Sequence, residues 1–116
     1  MSIYPVDAPV EYLDWISPLP ADVKVLTKPA RDLPFAHLFV VTTKSFQKQF
    51  SHLRTLLAKD GMLWVSWPKK SSKVPTDLDE NIIREYGLAD GLVDVKVCAV
   101  SDVWSGLKFV YRLKDR

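Results

Sequence analysis

At 116 residues the chain fits a single domain, 1–116, which buries roughly two-thirds of its unfolded surface and needs neither disulfide nor metal for stability. Its 16 basic and 14 acidic residues nearly cancel to a formal charge of +2, against the basic stripe of a dedicated nucleic-acid binder. Cys98 has no partner for an internal disulfide, Met1 to Asp7 lacks the charged and apolar runs of a signal peptide, and no apolar stretch reaches membrane-span length. A soluble, cytoplasmic protein is expected.

Ile3 to Ala8 suits a short strand, Val10 to Ile16 a short helix, and Val23 to Thr27 another strand. Only Lys28 to Pro34 separates the last of these from the next strand, whereas parallel neighbours need a dozen or more residues. Val23 to Thr27 is therefore either a brief edge strand, with an antiparallel direction open to it, or is followed by a loop stretched across the sheet's end. Phe35 to Thr42 is a continuous apolar run, as in a central strand covered on both faces. Thr43 can cap a helix in which Phe46, Phe50, Leu53, Leu56 and Leu57 recur at spacings of three and four, and Gly61 is the expected stop. Met62 to Trp67 reads as a second buried strand ended by Pro68.

After the loop Pro68 to Pro75, Thr76 is a candidate N-cap, and Asp77, Asp79 and Glu80 suit the positive end of a helix carrying Leu78, Ile82, Ile83 and Tyr86. Gly91 closes it, or Gly87 ends its regular part. From Leu92 to Val100, alternation puts Val93, Val95, Val97 and Ala99 on one side and Asp94, Lys96 and Cys98 on the other. Leu107, Phe109, Tyr111 and Leu113 repeat that period after the connector Ser101 to Gly106, which predicts an antiparallel hairpin. The order strand, helix, strand, helix, strand, strand implies right-handed crossovers and parallel pairing before that hairpin.

The segments Leu38-Phe-Val, Asp60 to Asp77 and Gly91 to Val110 resemble a family of small bacterial proteins known as Domain of Unknown Function 3052. More remotely, Leu56-Leu-Ala-Lys-Asp-Gly-Met-Leu-Trp-Val-Ser66 and the closing hairpin are similar to the second half of class I S-adenosylmethionine-dependent methyltransferases. These resemblances imply an α/β fold: a three-layer, Rossmann-like, mostly parallel sheet with a C-terminal antiparallel hairpin, shortened at the N-terminus. The first family brings no activity to carry over. The second needs a glycine-rich turn after its first strand, and the matching place reads Val6-Asp-Ala-Pro-Val-Glu-Tyr12. It also needs an acid ending its second strand, where Thr27 and Lys28 stand.

The basic loop Lys69-Lys70-Ser71-Ser72-Lys73 follows a buried strand, and open α/β sheets bind ligands beyond the carboxyl ends of their strands. Its ammonium, hydroxyl and main-chain N–H groups could hold a phosphate or carboxylate, although the acids starting the next helix oppose an anion. Trp67 and Trp104 are candidates to line such a site, with Trp64 a mid-strand core residue and Trp104 exposed in its connector. Cys98 has no histidine partner, and His37 and His52 share no metal-ligand spacing. Ser45-Phe-Gln-Lys48 lacks the companion motifs of Ser-x-x-Lys enzymes, and Ser66 has no Gly-x-Ser-x-Gly context.

No catalytic residue, metal or cofactor is assigned. The expected function is a non-catalytic, methyltransferase-like binding or interaction module. Its alternatives are a small anion-binding protein using residues 69–73 and a methyltransferase completed by a partner. Edge strands and Trp104 make a second copy of the chain a candidate partner. Neither nucleic acid nor membrane is expected as a partner.

Overall fold

The computed structural model describes residues 2–12, 14 and 22–115. In chain order these form strands β1 (Ser2–Val6), β2 (Lys24–Val25) and β3 (Leu33–Phe39), helix α1 (Thr43–Leu56), β4 (Leu57–Pro68), a 3-10 turn (Lys70–Ser72), helix α2 (Glu80–Ala89), and strands β5 (Leu92–Ala99) and β6 (Trp104–Tyr111). One six-stranded sheet results, in the order β2-β1-β3-β4-β6-β5. β1 to β4 are parallel, and β6 runs antiparallel to both β4 and β5. This is the Rossmann-like, mostly parallel sheet with a closing antiparallel hairpin.

The segment Val23 to Thr27 is settled as a brief edge strand, and a parallel one: Lys24 and Val25 pair with Ser2 and Ile3. Its shortness explains the connection. A two-residue strand leaves so little distance to retrace that Leu26 to Asp32 suffices to pass β1 and start β3 on its other side. Of the helix expected at Val10 to Ile16, Tyr12 and Asp14 are helical, while residues 13, 15 and 16 lie outside the described residues.

Both helices pack on the face formed by Ala36, Leu38, Leu63, Val65, Leu107 and Phe109. Phe50 of α1 meets Phe109 edge-on at 5.1 Å, and Tyr86 of α2 meets Phe46 at 5.3 Å, so aromatic rings of both helices and the sheet interlock. Burying a phenylalanine fully is worth about 2–3 kcal/mol, and Phe46, Phe50 and Phe109 are all inaccessible to solvent. On the opposite face, Tyr12 packs against His37 and Phe39.

Four local expectations are corrected. α1 stops at Leu56, and Gly61 lies inside β4 instead of ending the helix. A Cβ there would sit 2.6 Å from the Leu33 carbonyl oxygen, where the β3–β4 register slips, so the glycine serves a close backbone approach. The N-cap of α1 is Thr42, whose side chain accepts from the Ser45 N–H at 3.2 Å, one residue before Thr43. The N-cap of α2 is Asp79, accepting from the Ile82 N–H at 2.9 Å, not Thr76. In β5 a bulge at Val95 breaks the alternation: Asp94 pairs with Phe109 but Val97 with Leu107, so Leu92, Asp94, Val97 and Ala99 share one face, with Val93, Lys96 and Cys98 on the other. Gly91, at φ 104, does close α2 in the left-handed region.

Candidate functional site at the carboxyl edge of the sheet

Because β1 to β4 are parallel, their carboxyl ends converge with the start of β6 on one edge. That edge carries the turn after β1, the N-terminus of α1, the basic loop and the β5–β6 connector. Several short bonds hold it together. The Lys69 N–H donates to the Val103 carbonyl at 2.7 Å, which fastens the basic loop to the connector. The Thr76 hydroxyl donates to the Val41 carbonyl at 2.6 Å and accepts from the Leu78 N–H at 3.1 Å. Asp77 accepts from the Thr43 N–H at 2.7 Å, a carboxylate at the positive end of α1. Thr76 and Asp77 thus brace the β3–α1 turn instead of starting α2.

Within the basic loop most polar groups serve the loop itself. Ser72 donates its hydroxyl to the Lys69 carbonyl at 2.6 Å and accepts from the Val74 N–H at 3.3 Å. The N–H groups of Ser72 and Lys73 close a 3-10 turn onto Lys69 and Lys70, and Lys73 takes a left-handed conformation. The Lys70, Ser71 and Lys73 side chains are exposed. Lys69 and Lys70 border a cleft of about 390 Å³ with Trp67, Asp79, Asn81 and Ser105. Glu80 also lines this cleft, but its carboxylate holds Arg84 at 2.8 Å, and that of Asp79 caps α2. The ammonium groups of Lys69 and Lys70 have no ion-pair partner among the described residues. The structure therefore brings Trp67, Lys69 and Lys70 to one cleft and leaves Ser71 and Lys73 outside its lining.

Trp67 is 6% exposed and belongs to the helix-covered core. Trp104 opens β6 instead of sitting in a connector: half-buried, it lies edge-on to Phe39 at 5.1 Å and borders a second cleft, of about 300 Å³, with Glu11, Ser101 and Asp102.

One arrangement escaped the sequence. His37 Nε2 lies 2.7 Å from the Ser66 hydroxyl, and His37 Nδ1 lies 3.2 Å from the Tyr12 hydroxyl. One ring nitrogen donates and the other accepts, and both hydroxyls can serve either role. Phe39 stacks on the imidazole at 4.4 Å. Burial pushes His37 down to about 4, so the ring is neutral, and pushes Tyr12 up to about 12. Hydroxyl, imidazole and phenol in a row resemble a nucleophile, its base and an orienting group. Ser66, however, is wholly inaccessible, so no substrate reaches its oxygen, and the chain ties β1's following segment, β3 and β4 together. The three residues sit on separate elements, so spacing along the chain carries no sign of them.

No family model matches the chain, and no curated protein does. Solved structures do. A protein ascribed to the type 11 methyltransferases from Sulfolobus solfataricus superposes with a TM-score of 0.54 at 18% identity, covering 94% of this chain and 70% of that one. Magnesium protoporphyrin IX methyltransferase from Synechocystis PCC 6803, solved with bound SAH, gives 0.59 at 17% identity, covering 78% of this chain and 51% of its own. The fold is methyltransferase-like. Burkholderia thailandensis 1,6-didemethyltoxoflavin-N1-methyltransferase adds a TM-score of 0.55 at 10% identity, over 95% of this chain and 70% of that one. The chain thus spans about half the length of the Synechocystis enzyme it resembles.

In this methyltransferase-like sheet β1 and β3 form the switch point, since the chain leaves β1 toward one edge and returns to β3 on its other side. There Asp7, not glycine, turns the chain after β1 with φ 56, and Pro9 follows it. Thr27 and Lys28, after β2, are exposed. Among the described residues no three histidine, cysteine or acidic side chains are placed to hold a metal ion, and no helix is long and apolar enough to cross a membrane.

Proposed function

We propose that this chain is a non-catalytic, methyltransferase-like binding module that takes a small anion in the cleft beside Lys69 and Lys70. The observation that carries the reading is a pair of ammonium groups left without a salt bridge beside carboxylates already engaged. The cleft's two carboxylates are engaged, one capping α2 and one sharing Arg84 with Asp94, while its two ammonium groups have no ion-pair partner among the described residues. A phosphate or carboxylate would accept from both lysines, with the Asn81 amide and Ser105 hydroxyl in the same lining. The missing glycine-rich turn and the absence of an acid at Thr27-Lys28, just after β2, count against the methyl donor as that ligand.

A second reading, an enzyme whose cofactor site a partner completes, draws on the SAH-bound methyltransferases among the structural neighbours. Thermal denaturation separates the two. Pyrophosphate at millimolar concentration is expected to raise Tm by a few degrees, and the Lys69→Ala/Lys70→Ala variant to lose at least three-quarters of that shift. S-adenosylhomocysteine is expected to leave Tm unchanged. A shift by S-adenosylhomocysteine that saturates at micromolar concentration and survives the lysine replacements would establish the second reading instead. Equal stabilisation of parent and variant by pyrophosphate would refute the first.

A further inference from the structure

Among the described elements, α1 and α2 lie on one face of this sheet, and Tyr12 packs on the other beside His37 and Phe39. On that second face, register sets Trp64 beside Lys108 and Lys108 beside Lys96 in one row, with Val93 beside Val110 in the adjoining one. Met62, Trp64, Val93 and Val110 are half-buried. Lys96 and Lys108 stand directly opposite each other, a like-charge pair that costs stability. Neither has an ion-pair partner among the described residues. The acid on β5, Asp94, is turned to the helix side by the bulge and holds Arg84 at 2.9 Å. The bulge therefore puts Asp94 on the opposite face from the lysine pair.

We propose that this face docks an acidic amphipathic helix of a partner chain. Its apolar side chains lie on Met62, Trp64, Val93 and Val110, and its carboxylates meet Lys96 and Lys108. The distance from β4 across β6 to β5 is two strand spacings, about 10 Å, which roughly seven residues of helix span. Apolar anchors at i, i+4 and i+7 with flanking glutamates fit that span. A single-stranded nucleic acid would want several exposed aromatic rings, and the rings nearest Trp64 here are the buried His37 and the half-buried Phe35.

The test uses three synthetic 14-residue peptides and oligo-dT of matched length against the isotope-labelled chain. One peptide carries the leucine and glutamate pattern, one has lysine in place of glutamate, and one is the acidic composition scrambled. Amide shifts on titration are expected at Met62, Trp64, Val93 and Val110 with the acidic amphipathic peptide, with a Kd at least tenfold below that of the scrambled one. The Lys96→Glu/Lys108→Glu variant, checked for native circular dichroism, is expected to lose that preference and to bind the lysine peptide instead. Shifts confined to residues 69–73, no discrimination among the peptides, or tighter binding of oligo-dT at the same face would overturn the proposal. So would a dimer in light scattering that the charge-reversed variant abolishes, because a second copy would then be the occupant.

Discussion

Replacing Gly87 by alanine puts two well-measured effects in opposition. Gly87 is in the interior of α2, where alanine is favoured by about 1 kcal/mol. An alanine Cβ at that position would stand 2.1 Å from Phe109 Cε1 and 2.6 Å from Cζ. Non-bonded carbons settle at about 3.5–4.0 Å, so the ring would have to retreat by roughly 1.5 Å. It has nowhere to go: Phe109 is inaccessible to solvent and packs edge-on against Phe50 at 5.1 Å. Overpacking a dense core costs about 1–3 kcal/mol, and the backbone setting of this clash argues for the upper end. The net expectation for Gly87→Ala is a loss of about 2 kcal/mol, or about 8 °C in Tm for a domain of this size. Urea denaturation followed by tryptophan fluorescence measures it, with Glu85→Ala as an exposed control on the same helix. Adding Phe109→Leu should make the double variant at least about 1 kcal/mol more stable than the sum of the single losses. A Gly87→Ala protein as stable as the parent would refute the packing of α2 on Phe109.

Gly61→Ala should also destabilise, by about 2 kcal/mol or more in the same assay, because the new Cβ meets the Leu33 backbone oxygen, which cannot rotate aside. Acid should weaken the fold through His37. Its folded value of about 4 lies below the ordinary 6.5, so between those values the unfolded chain binds a proton that the folded one does not. Stability falls as pH drops from about 6.5 to about 4, by about 3 kcal/mol from this group, and a His37→Gln variant should show a shallower pH dependence in urea titrations over that window. A slope identical to the parent's would remove His37 from the account. Asp77→Ala should cost about 1 kcal/mol by leaving the first N–H of α1 without its carboxylate, while Asp77→Asn recovers part of it; equal Tm for all three proteins would contradict the brace.

From Phe35 onward the sequence carried the fold well, because buried strands and amphipathic helices write their periods directly into it. Where it misled, a local rule lost to a tertiary one. Gly61 looked like a helix stop because glycine usually ends helices, but here it was kept for a close approach between strands. Thr76 had the chemistry of a cap and used it on the neighbouring turn. The clean alternation of β5 concealed a bulge, since inserting one residue changes faces without changing residue types. At the candidate site, the Lys69–Lys70 pair was legible as composition. The state of the nearby carboxylates was not, because it depends on Arg84 and on where α2 starts. Tyr12, His37 and Ser66 were invisible together, since only the sheet makes them neighbours.

The strand order has a consequence for how the protein is made. β6 lies between β4 and β5, so β5 is synthesised before the strand that joins it to the sheet. At about 5–20 residues per second, β5, with Val95 and Val97, is made roughly 0.6–2.4 s before Trp104 to Tyr111 are complete. The extra residue at Val95 and the charge of Lys96 break up that waiting edge, which makes it a poor template for a neighbouring nascent chain to pair with.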